Sequence, residues 1–228
     1  EKLEILPVKS SAKLISMPNH HKNIIRPPFL LYINGGVKSG KSVLITNLVY
    51  NNDYYRQVFE KIYLISPTAN KDPTFEKSFE QDCKCEIFTP SSSEELDSTI
   101  KNIVENSDID TNKLIVIDDC AGFINNNGEI CKLAVKYRHY KISIIITAQY
   151  YVKLPPVIRA NSTAIVVFKI TNSKEKYILF KEMISTFGDS LETIYDQIFS
   201  KKIPYDFIVL NLRDRSILHK FTDVVYEH

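Results

Sequence analysis

Eight consecutive residues, Gly35-Gly36-Val37-Lys38-Ser39-Gly40-Lys41-Ser42, fit the pattern G-x-x-x-x-G-K-[ST] at every fixed position. Such a pattern works only where a buried strand runs in and a helix runs out. The glycine-rich turn then points successive backbone N–H groups at phosphate oxygens, and the helix adds the positive end of its dipole. Gly35 and Gly40 are expected to supply backbone angles that other residues avoid. Lys41 is placed to reach the β- and γ-phosphates of a nucleotide, and the Ser42 hydroxyl to ligate Mg²⁺. Gly36, Val37, Lys38 and Ser39 complete the cradle, with the Lys38 side chain facing solvent.

The flanks supply the required context. Phe29-Leu30-Leu31-Tyr32-Ile33 is a nearly continuous apolar run of the kind buried in parallel sheets, and Leu44, Ile45 and Leu48 recur at helical spacing between Lys41 and Tyr50. Further buried strands are expected at Lys61–Ser66, Lys113–Ile117, Lys141–Gln149 and Ala164–Phe168, with a shorter one at Glu86–Thr89. Helices are expected after the Ser92/Glu95 capping box, over Gly128–Tyr140, and around Tyr177–Phe187 and Leu191–Phe199. Leu154–Asn161 reads as a rigid loop, and Phe207–Leu210 with Ile217–Phe221 as a closing hairpin. Strands alternating with helices predict an α/β fold with a mainly parallel central sheet flanked by helices.

Two polar strand ends carry the chemistry. Lys113-Leu114-Ile115-Val116-Ile117 stops abruptly in Asp118-Asp119, which places negative charge at the edge where open α/β sheets bind ligands. Asp118 is the candidate for holding Mg²⁺ and Asp119 for orienting or deprotonating the attacking water; the plainer alternative is a pair of solvated turn aspartates. Gln149 ends another strand and could hydrogen-bond both that water and the γ-phosphate, or be an ordinary strand-end glutamine. Arg159 follows Pro155-Pro156 and should emerge near the same edge, as an arginine finger or as one half of a surface ion pair. Arg138 and Arg56 are the fallback candidates. Asp119 and Gly122 match the D-x-x-G of GTPases, but no N-K-x-D guanine motif follows, so ATP is the expected nucleotide.

The balance of 29 basic and 27 acidic residues, net +2, excludes a surface that binds nucleic acid or acidic membranes over its whole extent. Any DNA contact must be local. Cys83, Cys85, Cys120 and Cys131 form no C-x-x-C pair and have no zinc-finger histidine partners, so reduced thiols are expected. The sequence shows no apolar stretch of membrane-spanning length and no signal-peptide pattern, which predicts a soluble, intracellular protein. Residues 1–28, with Pro7, Pro18, Pro27 and Pro28, read as an extended N-terminal arm ahead of an ATPase domain over 29–228. His20-His21 in that arm lack a ligand set for a metal.

GGVKSGKS, LIVIDD, the helix ending Arg138-His139, the strand IIITAQ with Tyr150, and LPPVIRAN occur in one order. In that order the chain resembles the genome-packaging ATPases of large eukaryotic DNA viruses and virophages, themselves similar to the FtsK/HerA group of ring-forming DNA motors. The resemblance covers roughly residues 28–170. It implies the ASCE/RecA-like strand order, with the Gln149 strand between the phosphate-loop strand and the Asp118 strand. It also implies a Mg-dependent ATPase that translocates double-stranded DNA as a pentameric or hexameric homo-oligomeric ring, with capsid proteins as further candidate partners and the virion or a viral factory in the host cytoplasm as its place. Asp119 departs from the glutamate common in the wider superfamily, although the Asp-Asp pair resembles the viral branch. Two readings from other classes use the same loop: a small-molecule kinase, for which the arginine-rich lid is missing, and a nucleotide-gated scaffold, which requires Asp119 to be idle.

Overall fold

A computed structural model of the chain describes residues 22–227, so Pro7, Pro18 and the His20-His21 pair lie outside the described residues. In chain order the elements are β1 (Leu30–Asn34), α1 (Lys41–Tyr50), β2 (Lys61–Ile65), α2 (Pro73–Phe79), β3 (Cys85–Phe88), α3 (Ser93–Asn106), β4 (Lys113–Ile117) and α4 (Glu129–Lys136). They continue as β5 (Ile142–Ala148), α5 (Pro156–Asn161), β6 (Ala164–Phe168), α6 (Ser173–Phe187), α7 (Ser190–Ser200), β7 (Phe207–Asn211), β8 (Ser216–His219) and β9 (Asp223–Glu227).

The nine strands among the described residues form one sheet in the order β3-β2-β4-β5-β1-β6-β7-β8-β9. Pairing is parallel from β3 through β6 and antiparallel from β6 onward. The glutamine-ended strand therefore sits between the phosphate-loop strand and the aspartate-ended strand, as the family resemblance implied. Helices cover both faces, which is why β1, β4, β5 and β6 are apolar at nearly every position instead of alternating. Leu30 and Tyr32 join a core with α3 to α7, while Leu31 and Ile33 point the other way into a core with α1 and α2.

Several local expectations change. The Leu154–Asn161 stretch is not a loop throughout, because Pro156 occupies the first turn of α5, where its missing N–H costs nothing. The sequence reading passed over α2, although Asp72 caps it through the Thr74 N–H and Phe75 and Phe79 bury one face. The closing hairpin is three strands, since β9 adds to β8 across a register shift at Ile217/Leu218. Ile24 and Ile25, at the end of the expected arm, are buried in the core beside α1, and the Ile25 carbonyl accepts a 2.7 Å hydrogen bond from the Tyr55 hydroxyl. The four cysteines are free, and no helix among the described residues is long and apolar enough to cross a membrane.

Candidate nucleotide site

Register places the polar strand ends at one edge. Ile117 lies opposite Ile146 and Asn34 opposite Ala148, so Asp118, Gly35 and Gln149 all leave the sheet on the same side. The loop from Gly35 to Gly40 closes there. The Gly35 N–H donates to Ala148 O at 3.1 Å, and the Leu44 N–H reaches back to Gly40 O at 2.9 Å to start α1.

The two glycines serve different purposes. Gly40 has φ 105°, in the left-handed region that favours glycine. Gly35 does not share that region, which corrects the expectation from sequence; its constraint is space. A Cβ on Gly35 would stand 2.5 Å from Ser39 Oγ and 2.8 Å from Phe168 Cδ2. Gly36 has no atom within 4 Å of such a position, and Val37 and Lys38 are exposed.

Lys41 folds over the loop, its Nζ donating to Gly35 O at 2.7 Å and Gly36 O at 2.9 Å. Burial pulls its pKa down, against the nearby charges of Asp118 and Asp119, which favour the ammonium. Asp118 is 5% exposed and accepts a 2.7 Å hydrogen bond from Thr147 Oγ1. Burial pushes its carboxyl up to about 6; Thr147 and Lys41 oppose that rise, and Asp119 and Asp72 add to it. Asp119 is exposed with φ 55°, its N–H donating to the same Thr147 Oγ1 at 3.2 Å. Gln149 Nε2 donates to Asp119 Oδ1 at 3.4 Å, so the two residues singled out for water positioning are in contact.

Thr147 was legible only as a polar strand end, yet its hydroxyl connects both aspartates. Asp72, a third carboxylate on this side, carried no motif.

The donor set suits Mg²⁺. The Ser42 hydroxyl and the Asp118 carboxylate are hard oxygen ligands, and no group of three or more His, Cys, Asp or Glu among the described residues could hold a metal alone. Phosphate and water would supply the other positions, as is usual for this ion. The helix start at Gly40, where no side chain caps the first turn by a hydrogen bond, fits a phosphate.

Arg159 is set apart from this group. Its Nη2 is 2.6 Å from Glu182 Oε1 and its Nε 3.1 Å from Glu182 Oε2, a two-pronged pair that ties α5 to α6. Its Nη1 donates to Leu154 O at 2.5 Å, and the guanidinium lies over the Tyr151 ring. The Tyr151 hydroxyl completes the group with a 2.7 Å bond to Glu182 Oε2. Of the fallback arginines, Arg138 bonds Tyr137 and Arg56 bonds Asn52, both away from the strand ends.

Residues 18–203 match the model of the family described as Poxvirus A32 protein. Among curated proteins nothing matches significantly. Among solved structures, the fold is similar to the genome packaging NTPase B204 of Sulfolobus turreted icosahedral virus 2 in complex with ATP-γS. That likeness has 15% identity and a TM-score of 0.63 over 86% of this chain and 98% of that one. B204 of Sulfolobus turreted icosahedral virus, described as a DNA-packaging ATPase, gives 17% identity and a TM-score of 0.61 over 85% and 98%. ATPases 2 and 3 of EssC from Geobacillus thermodenitrificans give 16% and 0.52 over 67% of this chain and 34% of that one. At such identities the likeness is one of fold, and it is the mainly parallel phosphate-loop ATPase fold expected from the sequence.

Proposed function

The chain belongs to the poxvirus A32 protein family, and on that premise we propose that it is a Mg-dependent ATPase whose turnover drives double-stranded DNA into a viral capsid. The observation that carries the reading is the meeting of Lys41, Asp118, Asp119 and Gln149 at one sheet edge, in a fold shared with viral packaging NTPases, one of them bound to ATP-γS.

The roles follow from position. Backbone N–H groups of Gly35 to Ser42 cradle the phosphates, and Lys41 turns from the loop carbonyls to the β/γ-phosphates. Ser42 and Asp118 hold Mg²⁺, whose charge offsets that of the transferring phosphoryl group. Asp119 accepts the proton of the attacking water, and Gln149, already bonded to Asp119, holds that water in line.

We assign the motor to residues 29–228, with Ile24 and Ile25 of the arm packed against it. The working form in this proposal is a homo-oligomeric ring inside the virion or viral factory, with capsid proteins as partners. Arg159 completes a neighbour's site in that ring, on one structural condition: its fork to Glu182 must open first.

Duplex-stimulated ATP hydrolysis is the test. The expected result is turnover that rises on adding double-stranded DNA and vanishes in Lys41→Ala. A chain that binds ATP but responds to no nucleic acid defeats the packaging reading.

A further inference from the structure

The cavity beside the phosphate loop is much larger than a triphosphate needs. It is an open cleft of about 800 Å³ that continues from Lys38–Leu44 to an aromatic side made by the segment after α1, the end of β6 and the start of β7. Tyr54, Phe168, Tyr205 and Phe207 line that side, with the buried Phe221 behind them: Phe168 packs on Phe207 at 5.3 Å between ring centroids, Phe207 on Phe221 at 5.9 Å, and Phe221 on Tyr54 at 5.8 Å. Tyr205 is 69% exposed, yet its ring edge comes within 3.1 Å of where a side-chain carbon on Gly40 would begin. Its φ is 56°, a conformation uncommon for a non-glycine residue.

The geometry points to a nucleoside subsite in which Tyr205 is the stacking platform for the base of a nucleoside triphosphate. The assignment rests on the nucleotide reading of the loop and extends it to residues that no motif marks. Phosphates anchored at Gly35–Ser42 leave the base and ribose to extend beyond the loop, and this cavity opens directly from it with a volume suited to a small molecule. A second opening at the loop, bounded by Asn34–Val37 and Gln149–Tyr151, measures about 210 Å³ and lies on the water-positioning side. An exposed aromatic ring held at the loop offers a π-face that any base can use, and stacking of this kind is tolerant of base identity. The platform therefore adds affinity for nucleotides over inorganic phosphates, whichever base is present.

The test compares ATP with inorganic tripolyphosphate by calorimetric titration of the full chain. Tyr205→Asn removes the ring and keeps a residue that accepts a positive φ, so the backbone can stay in place. The expected result is ATP affinity about 5- to 150-fold weaker in Tyr205→Asn, the range for loss of one stacked base. Tripolyphosphate affinity should stay within about 2-fold, and Tyr205→Phe should bind ATP as the parent does. Unchanged ATP affinity in Tyr205→Asn overturns the subsite. So does an equal loss for both ligands, which would make Tyr205 a support for the loop. Lys41→Ala separates the underlying reading, because it should weaken ATP and tripolyphosphate alike; if it weakens neither, the nucleotide assignment of the loop fails as well.

Discussion

Thr147 Oγ1 donates a 2.7 Å hydrogen bond to Asp118 Oδ1 while accepting the Asp119 N–H at 3.2 Å, so one hydroxyl on β5 sets the positions of both aspartates at the end of β4. The site is thus held by a side chain of the neighbouring strand. Asp118 is buried where its charge is disfavoured, a strain expected of a carboxylate kept ready for a cation.

That strain predicts a stability trend with pH. The Asp118 carboxyl is at about 6 in the folded chain against an ordinary 3.8, so its favourable contribution is complete below about pH 4 and is lost as pH rises through about 6. The difference of about 2 pH units corresponds to on the order of 3 kcal/mol. Asp118→Asn should therefore raise Tm at pH 8 without nucleotide or Mg²⁺, leave it little changed at pH 4, and abolish Mg-dependent turnover. Thermal melts across pH check the first part; a variant no more stable than the parent at pH 8 contradicts it.

The glycines of the loop should respond unequally. Gly35→Ala forces a Cβ against Ser39 Oγ and the Phe168 ring, an overpacking expected to cost about 1–3 kcal/mol and to displace the loop. Gly36→Ala meets open space and should fold with a Tm close to the parent's. Chemical denaturation of the two variants side by side measures the difference.

Asp119→Asn should bind Mg·ATP with nearly parental affinity and hydrolyse it at least about 100-fold more slowly, the usual contribution of a positioned base. The amide keeps the shape and the contact with Gln149 but cannot take a proton. Single-turnover hydrolysis decides the point, and parental turnover would place the base elsewhere.

Arg159 and Glu182 can be tested together. As a finger, Arg159 should be dispensable for ATP binding and indispensable for hydrolysis, with a loss of about 10³-fold or more in Arg159→Ala. Mixing Arg159→Ala with Lys41→Ala subunits should restore some activity, because each supplies what the other lacks. Glu182→Gln weakens the fork that holds the guanidinium and should leave turnover intact. If Glu182→Gln instead loses activity as Arg159→Ala does, the pair acts as a clamp on the Tyr151–Leu154 segment beside Gln149.

The phosphate loop, the paired aspartates, the glutamine-ended strand and the parallel-sheet architecture were all legible in the amino-acid sequence. Each is a local pattern: apolar runs too continuous for a half-exposed strand, glycines at fixed offsets from a lysine, and carboxylates where a run of β-formers stops. Their order along the chain, through the family it resembles, also indicated which strand lies between which. Only the tertiary structure decided what meets across that order. Thr147 reaches Asp118 because β4 and β5 are neighbours in register, Arg159 meets Glu182 because α6 packs beside the turn after β5, and Tyr205 lies on Gly40 because β7 adds antiparallel to β6. Gly35 needs its missing side chain because Phe168, at the end of another strand, fills that space. Such contacts depend on strand register and helix docking, and no repeat or spacing within a short stretch of sequence encodes them.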